Sequence, residues 1–235
     1  MAFNSFQKTA IATVIATLFL IFVGGLVRAA GAGLGCPDWP KCFGMWIPPT
    51  SLAEVPDTFD PSQFNVFKTW IEYVNRLIGV LIGLFIIATT ALSFRYRKSD
   101  PSVFQASVAA FVLVLFQGWL GGQVVETGLS EWLITIHMML AFLIVNILLF
   151  AAYKSNDYRI RLNLDESLRK QLIQLGVVLL LITLVQVVIG TQVREMVDMV
   201  KEQAVPPHRS TWLDDAGLIF QVHRVFSWFV VLAAG

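Results

Sequence analysis

Charge is what this chain lacks most. Of its 235 residues only 14% are charged and 56% are hydrophobic, a balance that excludes an ordinary water-soluble globular domain. The formal net charge is +1, so neither sign is in excess and nothing points to nucleic acid or to an acidic partner. Cysteine is nearly absent: Cys36 and Cys42 are the whole supply, and with no histidine in their loop they make a poor zinc site. Histidine is limited to His137, His208 and His223. Polar sequence is missing at the C-terminus too. The chain stops at Ala234-Gly235 within apolar sequence, which reads as a truncated chain.

What is present is apolar sequence in long blocks. Runs near 8–28, 70–93, 103–124, 132–152, 170–193 and 217–235 are each long enough to cross a hydrocarbon core as a helix. The expected fold is therefore an all-α polytopic transmembrane protein. Arg95, Arg97 and Lys98 follow the second run, and Lys154, Arg159, Arg161, Arg169 and Lys170 follow the fourth. Short cytoplasmic loops carry such a basic excess, so the N-terminus is expected inside and the loops after the first and third runs outside. Lys8 and the small residues Ala29 to Ala32 resemble a signal peptide, but the run is longer than a usual apolar core, and a retained helix is expected.

The first outer loop, residues 29–68, holds GAGLGCPDWPKC followed by Trp46-Ile47-Pro48-Pro49. Glycine and proline at this density make a structured turn region. An oxidising compartment favours a Cys36–Cys42 disulfide; reactive thiols are the rival reading.

Two echoes run along the chain. The third run ends with Gln117, Gly121 and Gln123, the fifth with Gln186, Gly190 and Gln192, and the first with Gly24, Val27 and Arg28, matching Gly190, Val193 and Arg194. Among the even runs, Tyr73 to Leu77 resembles Gln221 to Val225, setting Asn75 on His223 and Arg76 on Arg224. The spacing implies that runs five and six repeat runs one and two. The expected domains are a four-helix bundle over 1–160 and the first two helices of a second bundle over 161–235.

The charged stretch from Trp70 to Gly83 is the most unusual part. Glu72, Asn75, Arg76, Gly79 and Gly83 fall on one helical face, and ionisable groups within a membrane are costly and usually functional. An i,i+4 ion pair in interfacial water is the bland alternative. His137 and His223 sit near the outer ends of their runs, at a matching depth that suits axial ligation of haem between bundle helices. Either one alone also suits a simple hydrogen-bonded helix contact, and His208 reads as a loop residue. Arg76 and Arg224, next to the candidate ligand positions, suit haem propionates. Glu72 has Phe220 at its repeat position, so a carboxylate for acid-base chemistry stands in the first bundle alone.

Taken together, Gly24 to Arg28, the GAGLGCPDWPKC loop, Glu72-x-x-Asn75-Arg76, His137 and Gln221-Val222-His223-Arg224 resemble the haem A synthase family. The resemblance implies two pseudo-symmetric four-helix bundles in the plasma membrane and oxidation of the C8 methyl of haem O to the formyl of haem A. It implies haem O as substrate beside Glu72 in the first bundle, with His137 as a ligand. A haem b cofactor would be held in the second bundle by His223, and Cys36 and Cys42 would form the family's extracytoplasmic disulfide. Implied partners are membrane lipid, a haem O synthase, cytochrome oxidase assembly factors and a second copy in a homo-oligomer. The family usually carries histidine where Asn75 stands, and by the resemblance the spans with the cofactor's second ligand would lie beyond residue 235. A two-haem electron-transfer cytochrome and a haem carrier are the alternatives from other classes.

Overall fold

In a computed structural model, residues 3–156, 164–203 and 217–234 are described. They form six α-helices: α1 Ser5–Ala29, α2 Val66–Ser93, α3 Pro101–Glu126, α4 Glu131–Lys154, α5 Glu166–Gln203 and α6 Gly217–Ala234. No strand occurs among them. The protein is an all-α polytopic membrane protein: α1 to α5 are each long and apolar enough to span a bilayer, and α6 is a shorter apolar helix of 18 residues. The expected domain boundary at 160/161, together with Arg159, Arg161 and His208, lies outside the described residues.

The chain divides into two compact units, residues 1–159 and 160–235. In the first unit each helix packs against two neighbours, α1 on α2, α2 on α3, α3 on α4 and α4 on α1, so α2 and α4 stand diagonally across a closed ring. The buried centre draws on all four helices through Val14, Ile82, Ile86, Ala110, Ile144 and Leu148. A second cluster of Phe6, Ala10, Val103 and Ala151 closes the end nearest the N-terminus. Lipid tails are as apolar as these side chains, so close packing rather than transfer from water holds them together. In the second unit, α5 packs on α6.

Polar groups fix the register where apolar packing alone would let helices slide. The Asn4 and Gln7 side chains cap the start of α1 reciprocally, and the Gln7 amide also donates to the Ser155 carbonyl, 2.7 Å away, tying α1 to the end of α4. In mid-bundle the Thr13 and Thr89 hydroxyls meet at 2.9 Å, and each also lies within bonding distance of its own helix at Thr9 O and Phe85 O. With one proton each, one hydroxyl bridges the helices while the other satisfies its own backbone. Helix α1 thus takes part in both buried clusters and in these bonds.

The fifth helix differs from expectation in length. The apolar run ends near residue 193, but α5 continues to Gln203, helped by an Arg194–Asp198 ion pair at i,i+4 spacing and 2.8 Å. Apolar run length reports the lipid-facing part of a helix and not its polar extension.

Replacing Thr13 and Thr89 with valine singly and together should give a coupling energy near 0.6 kcal/mol, the usual worth of a side-chain hydrogen bond inside a membrane. Unfolding of the purified protein in mixed micelles measures it.

Candidate haem-binding site and the α1–α2 loop

The end of the first unit that carries the loop between α1 and α2 collects the chemistry. Cys36 and Cys42 form a disulfide, their Cα atoms 4.8 Å apart, which decides between the two readings of these cysteines. Inside the loop, the Asp38 carboxylate accepts the backbone N–H groups of Phe43 (2.6 Å) and Gly44 (2.9 Å). Those residues have φ of 54° and 72°. For Phe43 that conformation is sterically unfavourable. Asp38 and burial of the Phe43 ring between Phe59 and Phe64 hold it in place.

The loop is bolted to α2 by the charged stretch. Arg76 forms an ion pair with Glu72, the i,i+4 contact that the spacing allows. The same guanidinium donates to three loop carbonyls, Asp38 O and Lys41 O at 2.8 Å and Cys36 O at 3.3 Å. The other Glu72 oxygen accepts the Cys36 N–H at 2.8 Å, and the Thr69 hydroxyl donates to Gly35 O at 2.7 Å. Glu72 is 4% exposed and is the one carboxylate among the buried side chains described. Gly35 itself lies so close to α2 that a Cβ would fall 2.4 Å from the Lys68 carbonyl oxygen. On α3, a Cβ at Gly122 would fall 2.9 Å from the Trp39 ring, so the loop also reaches across to that helix.

The candidate ligand positions share one geometry. A Cβ on Gly24 of α1 would lie 3.9 Å from Asn75 Oδ1, one on Gly121 of α3 would lie 3.3 Å from His137 Cε1, and one on Gly190 of α5 would lie 3.0 Å from His223 Cε1. Each odd helix thus turns a bare glycine toward the residue in question on the next helix. Four residues before two of these glycines, the amides of Gln117 and Gln186 donate to the backbone carbonyls of His137 (2.9 Å) and His223 (3.0 Å). Both echoes seen in the sequence are therefore one structural unit, a helical hairpin with a glycine opposite a polar side chain.

His137 Nδ1, His223 Nδ1 and Asn75 Oδ1 are buried without a hydrogen-bond partner, an uncommon condition for buried polar atoms. In each unit an imidazole set beside a glycine, where a flat ring can approach the backbone, fits the needs of haem, whose porphyrin supplies four nitrogens and leaves the axial positions to the protein. Among the described residues no cluster of three His, Cys, Asp or Glu stands ready for a bare metal ion.

Arg224 is exposed. It donates to Gln221 at 2.7 Å and lies over the Phe220 ring at 5.7 Å, so the ring takes the i,i+4 place that Glu72 has beside Arg76. Asp38, Thr69 and Trp39 were not singled out from the sequence. Their partners are backbone atoms and a glycine, and only the crowding of Gly and Pro in the loop signalled them. A shallow groove lined by Ser102, Gln105, Asn146 and Phe150 lies at the far ends of α3 and α4 and takes no part.

The fold and site define a polytopic membrane protein whose helical hairpins each set one partly buried imidazole, or an amide in its place, opposite a glycine. Sequence comparison assigns it further: the chain belongs to the COX15-CtaA family of cytochrome oxidase assembly proteins, whose sequence model matches residues 7–234. It is 27% identical over 209 residues to a heme A synthase of Shewanella oneidensis, covering 88% of this chain and 62% of that protein. It is 30% identical over 132 residues to the heme A synthase of Shouchella clausii, covering 56% and 39%. With that of Geobacillus kaustophilus it is 28% identical over 173 residues, covering 71% and 50%. The chain thus spans between two-fifths and two-thirds of the length of these relatives. No solved structure matches it.

Gly35→Ala should push the loop off α2 at a cost of about 1–3 kcal/mol. Gly33→Ala, whose Cβ meets the flexible Leu129 side chain at 3.2 Å, should cost less. Melting temperature and trypsin cleavage at Lys41 report both. In the same loop the Thr50 backbone N–H and hydroxyl hold the Glu54 carboxyl below its ordinary value of 4.5. A depressed folded-state pKa gives stability that is present above the unfolded value and is lost as pH falls through the folded one. Amide exchange at Thr50 should therefore be slow at neutral pH and quicken only in acid below about pH 4.5, and Glu54→Gln should remove that dependence.

Proposed function

We propose that this chain is the haem-binding part of a haem A synthase, which oxidises the C8 methyl of haem O to the formyl group of haem A. The observation that carries this reading is the repeated hairpin, with His137 opposite Gly121 and His223 opposite Gly190, in a chain of this family. In this reading haem O is the substrate of the first unit, its farnesyl tail in lipid, with His137 as ligand. In the second unit His223 would hold a haem b, which would supply one-electron redox chemistry.

The protein's own part is positioning and proton transfer. Conversion of a methyl to a formyl group with one water releases four protons and four electrons, passing through an alcohol and a gem-diol that loses water; the electrons would leave one at a time through the haem b to an external electron acceptor. Glu72 is the buried carboxylate at that end of the bundle, and it takes protons from the reacting carbon's side. Arg76 and the Cys36 N–H fix its two oxygens so that the carboxylate keeps one orientation. Arg224, exposed beside His223, pairs with a propionate of the cofactor. The helices cross the plasma membrane with the N-terminus in the cytoplasm and the disulfide loop outside. A haem O synthase, oxidase assembly factors and a second copy of the chain are its partners.

A second reading is supported by the engagement of Glu72 with Arg76 and Cys36, which a purely structural carboxylate would also show: a b-type electron-transfer cytochrome without substrate chemistry. Glu72→Gln separates the two, because it keeps an acceptor for the loop but cannot act as a base. In full-length protein supplied with haem O, the variant should retain bound haem and lose at least a hundredfold in haem A formed, the usual scale of general-base loss. Conversion at the normal rate would remove Glu72 from the chemistry. Extraction of protohaem alone from wild type supplied with haem O would favour the cytochrome.

A further inference from the structure

The three hairpins are alike in their glycines and unlike at one point. In α3–α4 and α5–α6 the glycine faces an imidazole, and a glutamine one turn earlier pins the backbone carbonyl of that histidine. In α1–α2 the glycine faces the amide of Asn75, and the residue one turn before Gly24 is Leu20, which packs on the apolar core. This hairpin therefore keeps the scaffold and lacks both the imidazole and the amide that would steady it.

Beyond Asn75 its face of α2 carries two glycines with open space beside them. Asn75 Oδ1 is buried and unpaired. One and two turns further along α2, a Cβ on Gly79 or Gly83 would meet nothing within 4 Å. Asn75 lies about 14 Å from the outer start of α2, and His137 about 9 Å from the outer start of α4, at 1.5 Å per residue. The two helices are diagonal in the ring. An amide oxygen is a weak iron ligand beside imidazole, but the amide NH2 is a good donor to a polar group.

From this we infer a binding site for a small exogenous ligand on the Asn75 side of a haem carried by His137. That haem has one protein ligand and an open sixth position, and the Asn75 amide donates a hydrogen bond to a diatomic or small anionic ligand bound there. The inference rests on the proposed haem site at His137.

The test is optical and electron paramagnetic resonance spectroscopy of the full-length haem-loaded protein, with carbon monoxide and azide as probes. Wild type should show a high-spin haem that binds carbon monoxide when reduced, and His137→Ala should lose that component. Asn75→His should convert it to a six-coordinate low-spin form with at least a tenfold fall in carbon monoxide affinity. Asn75→Leu should stay high-spin and lose about threefold to tenfold in azide affinity, the worth of one hydrogen bond. A low-spin, carbon monoxide-inert wild-type haem that still depends on His137 would overturn the open position while leaving the haem site standing. Unchanged spectra in Asn75→His would also overturn it. Full haem content in His137→Ala would overturn both readings.

Discussion

The guanidinium of Arg76 is the tie on which the loop-bearing end of the first unit depends. It is buried enough to need several acceptors, and it finds four: one carboxylate on its own helix and three carbonyls in the loop. Arginine suits this place because its planar fork can address several acceptors at once, whereas an ammonium acts as a point charge. Near hydrocarbon the loop's carbonyls have little water to turn to. An irregular loop can therefore sit against a membrane helix only if that helix brings donors to it.

This tie gives Glu72 two connections. Through Arg76 it belongs to α2, and through the Cys36 N–H it belongs to the loop. The disulfide joins the two ends of the short segment that Arg76 grips, and Thr69 and the close approach of Gly35 hold the segment's entrance. A carboxylate held in this way has a defined orientation without a rigid secondary-structure element on both sides. The functional reading needs that property, and so does the structural one.

Much of this was legible in the sequence because it follows from composition and period. The apolar blocks mark the helices of the first unit to within a few residues, since a membrane leaves the backbone little choice but helix. The shared exit motifs of the odd runs and the Asn75/His223 echo anticipated the hairpin unit, and an expected oxidising compartment anticipated the disulfide. The acceptors of Arg76 stayed hidden: they are main-chain carbonyls, which every residue has, so no side-chain pattern encodes them. The placement of Trp39 on Gly122, the positive φ of Phe43 and the polar extension of α5 were hidden for related reasons. Each depends on which backbone comes near, or on helix outside the apolar run.

A glycine set against each candidate ligand position also changes how such a scaffold can vary. The facing helix contributes no side chain there, so its backbone already accommodates groups as different as an amide and an imidazole. Helix packing need not readjust when that one residue is exchanged. The number of imidazoles in such a chain is then a property of single codons, free to drift while the bundle stays the same.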